Sequence, residues 1–85
     1  FGIRCNAVAP GWINTPFNEK LLKFYADRGA VIQQIESLHP IGRLGAPQDV
    51  ANTVFWLASS EASFITGQEI VCDGGRLSKL PLPKL

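Results

Sequence analysis

Gly2-Ile3-Arg4-Cys5-Asn6-Ala7-Val8 runs without interruption into Ala9-Pro10-Gly11-Trp12-Ile13-Asn14-Thr15, and this junction decides the fold. Ile3, Cys5 and Ala7 alternate with Arg4, Asn6 and Val8, the two-residue period of a β-strand. Pro10 has no amide donor, so the ladder is expected to stop there, and Gly11 allows a sharp turn. In an open α/β sheet the carboxyl ends of strands are where ligands bind, which makes the residues after Val8 the first candidate site.

Downstream, Thr15-Pro16 has the form of an N-cap followed by proline at the first helical position. Phe17, Leu21, Phe24 and Tyr25 then recur on one helical face. Gly29 is expected to break this helix, with Val31, Ile32, Ile35 and Leu38 continuing a second stripe until His39-Pro40 ends it. The segment is thus expected to form a helical hairpin. Pro40 to Pro47 has loop composition, and Gln48–Ser59 is the strongest helix signal. Its apolar positions Val50, Ala51, Val54, Phe55, Leu57 and Ala58 cover a wide face, which predicts burial on more than one side. Gln68-Glu69-Ile70-Val71-Cys72 reads as a strand closed by the Asp73-Gly74-Gly75 turn. Strand, helices, strand predicts a right-handed crossover with parallel strands. Because parallel sheets are normally larger and covered on both faces, the outer edge of residues 3–8 is expected to pair with a strand upstream.

Composition sets outer bounds. The 85 residues are 46% hydrophobic with a formal net charge of +1, an ordinary globular balance. The basic residues are scattered singly and form no stripe of the kind phosphate backbones require, which argues against nucleic-acid binding. The longest uncharged apolar run, Val54 to Ala58, falls far short of the ~20 residues that span a bilayer, so no membrane association is expected. Cys5 and Cys72 lie in separate predicted strands and are expected to be buried free thiols, with a cross-strand disulfide as the lesser alternative, in keeping with a cytoplasmic, reducing compartment. Their density is wrong for a disulfide scaffold and their spacing wrong for a zinc site, so no metal is expected. The absence of methionine leads us to expect a piece of a larger protein.

Three motifs in order carry a more specific signal: Asn6-Ala7-Val8-Ala9-Pro10-Gly11-Trp12-Ile13-Asn14-Thr15, Gly42-Arg43-Leu44-Gly45-Ala46-Pro47-Gln48-Asp49-Val50-Ala51, and Thr66-Gly67-Gln68-Glu69-Ile70-Val71-Cys72-Asp73-Gly74-Gly75. Together they resemble the carboxyl-terminal third of classical short-chain dehydrogenase/reductases. The resemblance implies an α/β fold for residues 1–75, the end of a Rossmann-like, doubly wound parallel sheet with its last two strands, substrate-lid helices at 16–39 and one long crossover helix. It further implies NAD or NADP as cofactor and an alcohol–ketone interconversion on a small-molecule substrate. The nicotinamide end would meet a main-chain contact from Ile13 and a hydroxyl contact from Thr15, in a loop shaped by Pro10 and Gly11. A homodimer or homotetramer is also implied, with Phe55 and Trp56 as candidate contacts.

Each motif has a plainer structural reading. Thr15 suits simple N-capping, and one hydroxyl can serve both the helix and a cofactor. The apolar face of residues 16–39 suits either a lid or core. His39, beside a proline at a helix end, suits a loop or capping role better than catalysis, and Asp49 and Glu61 read as terminal helix charges. Gly42 to Gly45 and Asp73 to Gly75 read as turns. The family's chemistry requires a tyrosine with a lysine four residues on, yet Tyr25 is followed at that distance by Gly29, so no catalytic residue is assigned and the chain alone is expected to be inactive. A non-catalytic truncated product or interaction module is the alternative reading. Residues 76–85, with alternating proline and leucine near the end, are expected to form an extended arm.

Overall fold

The computed structural model describes residues 1–78. The order is β1 (Ala7–Pro10), α1 (Pro16–Leu22), α2 (Arg28–Ser37), α3 (Pro47–Ala58), a short 3-10 turn at Ser60–Ala62, β2 (Glu69–Cys72) and a second such turn at Arg76–Ser78. Positions 79–85, most of the expected extended arm, lie outside the described residues.

β1 and β2 pair in parallel with Ala7 opposite Glu69 and Pro10 opposite Cys72, as the crossover reading requires. The strand nevertheless begins later than the alternation suggested. Residues 2–6 lie ahead of β2's first residue in this register and have no strand opposite them. Loop contacts hold them instead: Cys5 N donates to Thr66 Oγ1 at 3.1 Å, Gly67 N to the Cys5 carbonyl at 2.7 Å, and Gln68 N to Asn6 Oδ1 at 3.0 Å. Arg4 reaches further, donating to the carbonyls of Ile65 and Ser59.

Pro10 does not end the ladder. In a parallel pair, amides facing a given neighbour come from alternate residues, and here Ala7 N donates to Gln68 O at 2.9 Å and Gly11 N to Cys72 O at 3.0 Å. Pro10 falls on the outward-facing set, where its missing donor breaks nothing.

The helical hairpin forms, but its break is displaced. α1 stops at Leu22, and Phe24 and Tyr25 lie in the turn beyond it, their amides donating to Leu21 and Leu22. Asp27, not Gly29, sets the next boundary: its carboxylate accepts from Ala30 N at 3.0 Å and caps α2, leaving Gly29 inside the first helical turn. A satisfied cap contributes about 1 kcal/mol, comparable to the cost of one helical glycine, so the glycine is tolerated. Phe17, Leu21, Phe24 and Tyr25 are all exposed, while the buried side chains of the hairpin are Leu22 and Ile35.

α3 packs on the sheet through Leu57, which is buried, with Val50 half-buried. Val54, Phe55 and Trp56 are exposed, so burial on more than one side is not realised within these residues. The radius of gyration, 16.0 Å, exceeds the ~12 Å of a closed globule of this length, and the thinnest dimension is 15 Å. The chain is a slab.

Candidate functional site

The candidate site is the loop leaving β1, and its shape follows from close backbone approach. A Cβ on Gly11 would stand 2.7 Å from Asp73 Cβ and 2.8 Å from Asp73 Cα, so only glycine lets the ends of β1 and β2 run side by side. Beyond it, Gly45 N donates to Trp12 O at 2.9 Å and Asn14 N to Gly45 O at 2.8 Å, a one-residue parallel bridge between Ile13 and Gly45. This pairing occupies the polar groups on either side of Ile13 and turns Ile13's own N–H and C=O the other way. The carbonyl accepts from Asn18 Nδ2. The Ile13 N–H makes no hydrogen bond among the described residues.

Thr15 caps α1: its Oγ1 accepts from Asn18 N at 3.3 Å, with extended backbone angles suited to an N-cap. An accepting hydroxyl still has its proton to donate, so capping leaves Thr15 able to bind a second partner. A groove lined by Asn14, Thr15, Pro16, Glu19, Lys20 and Lys23 opens beside it. Pro10 is exposed, whereas Gly11, Ile13 and Thr15 are half-buried. The four residues therefore form one continuous rim, with Pro10 and Gly11 setting its course and Ile13 and Thr15 presenting donors.

The loop from Pro40 to Ala46 supports this rim. Arg43 forms a two-pronged ion pair with Asp49, at 2.8 and 3.2 Å, and Ala46 N donates to the same carboxylate at 2.7 Å. The Arg43 hydrogen bond first, then the Ala46 amide, lowers the Asp49 pKa to about 2, and the Arg43 pKa is raised in turn. Asp49 does sit in the first turn of α3, as its position suggested. Its partner was not visible in the sequence, because the pair spans Pro47 and depends on the loop path. Asp73 is similarly drawn below the usual carboxylate range, chiefly by the Leu77 amide, with Gly75 and Arg76 amides also contributing. Gly74 and Gly75 adopt positive φ, as expected of a turn.

His39 is 4% exposed and its Nδ1 lies 2.7 Å from the Ile35 carbonyl. It does cap the end of α2, but its burial was not evident from its place beside a proline. Cys5 is exposed and Cys72 only half-buried, which corrects the expectation of two buried thiols; both are free. Cys5 lies in the segment ahead of β1, which has no strand opposite it. Tyr25 is exposed. Among the described residues no cluster of His, Cys, Asp or Glu could hold a metal ion, and no helix is long and apolar enough to cross a membrane.

A family model described as Enoyl-(Acyl carrier protein) reductase matches residues 1–76. The chain is 44% identical over 75 residues to 2-keto-3-deoxy-L-fuconate dehydrogenase of Xanthomonas campestris, covering 87% of this chain and 25% of that protein. It is 49% identical over 76 residues to 3-oxoacyl-[acyl-carrier-protein] reductase FabG of Rickettsia felis, covering 89% of this chain and 29% of the relative. Among solved structures, ligand-free aldohexose dehydrogenase of Thermoplasma acidophilum superposes with a TM-score of 0.86 at 40% identity, over 96% of this chain and 34% of the other. The chain thus spans between a quarter and a third of the length of these proteins.

Proposed function

Since the chain belongs to the short-chain dehydrogenase/reductase family, we propose that it is the nicotinamide-side portion of an NAD- or NADP-dependent oxidoreductase that interconverts an alcohol and a ketone on a small-molecule substrate. The nicotinamide group, when bound, supplies the hydride acceptor or donor. Residues 10–15 bind and orient it. The Ile13 N–H, turned away from Gly45 and without a partner among the described residues, is the observation that carries this reading. It fits a carboxamide oxygen, and the Thr15 hydroxyl fits a neighbouring acceptor on the cofactor while still capping α1. Pro10 and Gly11 hold the rim in place.

In the same reading, residues 16–39 form the substrate lid. Their exposed Phe17, Leu21, Phe24 and Tyr25 would supply an apolar surface to a bound substrate. The exposed Phe55 and Trp56 of α3 would pack in a homodimer or homotetramer. The two free thiols accord with a cytoplasmic site of action. The tyrosine–lysine pair that the reaction needs would come from outside these residues.

Thr15→Val in the full-length protein tests the assignment. A neutral hydrogen bond contributes about 0.5–1.5 kcal/mol, so the dissociation constant for the cofactor is expected to rise roughly 2- to 13-fold, beyond any loss of stability from the removed cap. Reduced stability with unchanged cofactor affinity would leave Thr15 as a cap alone.

A further inference from the structure

Among the described residues, two buried side-chain polar atoms have no hydrogen-bond partner, the indole Nε1 of Trp12 and Nε2 of His39. Both residues line one cavity of about 130 Å³, whose walls also include Ile13, Ile41, Asp73 and Gly74. The chemistry of the two atoms is complementary. The indole N–H only donates. For His39, Nδ1 contacts the Ile35 carbonyl, which only accepts, so Nδ1 is the donor, and in the tautomer this contact selects Nε2 is left as an acceptor. The Gly74 position lies against this edge of the ring: a Cβ there would be 3.8 Å from His39 Cδ2, the atom next to Nε2.

We propose that this cavity binds an ordered water that accepts from Trp12 Nε1–H and donates to His39 Nε2. Leaving both atoms unpaired is costly, and a single molecule that both accepts and donates satisfies them together. Water occupies about 30 Å³ in the liquid, so the cavity has room for it. The bridge joins the exit of α2 to the loop after β1. It holds Trp12, and with it the adjoining Ile13 main chain, in register with Gly45. That last consequence for cofactor binding rests on the function proposed above; the water site itself does not.

The test uses the full-length protein without cofactor, so its outcome is separable from that of the functional reading. Nuclear magnetic resonance is expected to show cross-relaxation between one long-lived water and both Trp12 Hε1 and the ring protons of His39. A Trp12 Hε1 with no long-lived water beside it, or a water that reaches Trp12 but not the His39 ring, would overturn the proposal. Thermal melting supplies a second measurement with Trp12→Phe, His39→Phe and the double variant. Each single change is expected to lower the melting temperature by several degrees, and the double change by clearly less than the sum of the two, because the bridge is lost only once. Strictly additive losses would count equally against the bridge.

Discussion

The two ends of this slab are finished differently. At the carboxyl ends of the strands, residues 10–15, 39–45 and 73–75 are tied together by backbone hydrogen bonds and three close glycine contacts, and a two-pronged ion pair from Arg43 to Asp49 anchors the loop to α3. On the opposite side, Ile3, Val54, Phe55 and Phe64 are exposed, and residues 2–6 have no strand beside them. The first region is held by interactions local to the chain. The second displays apolar surface that a larger sheet or a second subunit would cover. Stability and function are therefore expected to respond to different residues: the tied end sets geometry, and the open side depends on its surroundings.

Substitutions on α3 should break this comparison most sharply. Leu57→Ala removes a buried side chain and is expected to cost about 2–5 kcal/mol by chemical denaturation of the full-length protein. Phe55→Ala, two residues away and exposed here, should change monomer stability by under ~0.5 kcal/mol while weakening subunit association in sedimentation. A large stability loss from Phe55→Ala at a concentration too low for association would show that its face is covered within one subunit. Next in size is Gly11→Ala, whose Cβ meets backbone and Cβ of Asp73; a loss of about 1–3 kcal/mol is expected. Gly45→Ala meets the flexible end of Ile13 at 2.5 Å and should cost less, so a reversed order would contradict the close-approach account of the rim. Asp27→Ala removes the α2 cap and is expected to cost about 1 kcal/mol, which differential melting can measure.

The smallest effect is the acid dependence of the Arg43–Asp49 pair. The Asp49 pKa falls from 3.8 to about 2 on folding, so the pair's contribution is fully present above pH 3.8 and is lost as pH falls through about 2. Because the pair is solvent-exposed, the expected change is slight. Asp49→Asn should flatten that part of the melting-temperature curve between pH 4 and 2, and an unaltered curve would show that the pair does not contribute.

How much of this could be read in advance depended on whether the cause was local. Thr15 as a cap, Pro47 opening α3 and the parallel pairing of the two strands all followed from residue type and spacing. The start of β1 did not, because its extent depends on where β2 lies opposite. The stripe Phe17, Leu21, Phe24, Tyr25 had helical spacing, but spacing cannot say which face meets the rest of the chain, and Leu22 took the buried place. Gly29 looked like a break only while the capping power of Asp27 went unweighed. At the candidate site, the positions of Ile13 and Thr15 came from the family resemblance. The direction of the Ile13 amide came from Gly45, a residue distant in sequence, and could be seen only once the loops were paired.

Asn18 holds two of the four rim residues at once, its backbone N–H on Thr15 and its side-chain amide on Ile13. The opening of α1 is therefore clamped to the loop after β1, and in the lid reading proposed above a swing of the hairpin would have to pivot further on. The segment 23–26, between the last residue of α1 and the Asp27 cap, would then be the fulcrum. Faster amide hydrogen exchange at Lys23–Ala26 than at Asn14–Asn18 would be its signature, and the reverse order would place the pivot at the rim.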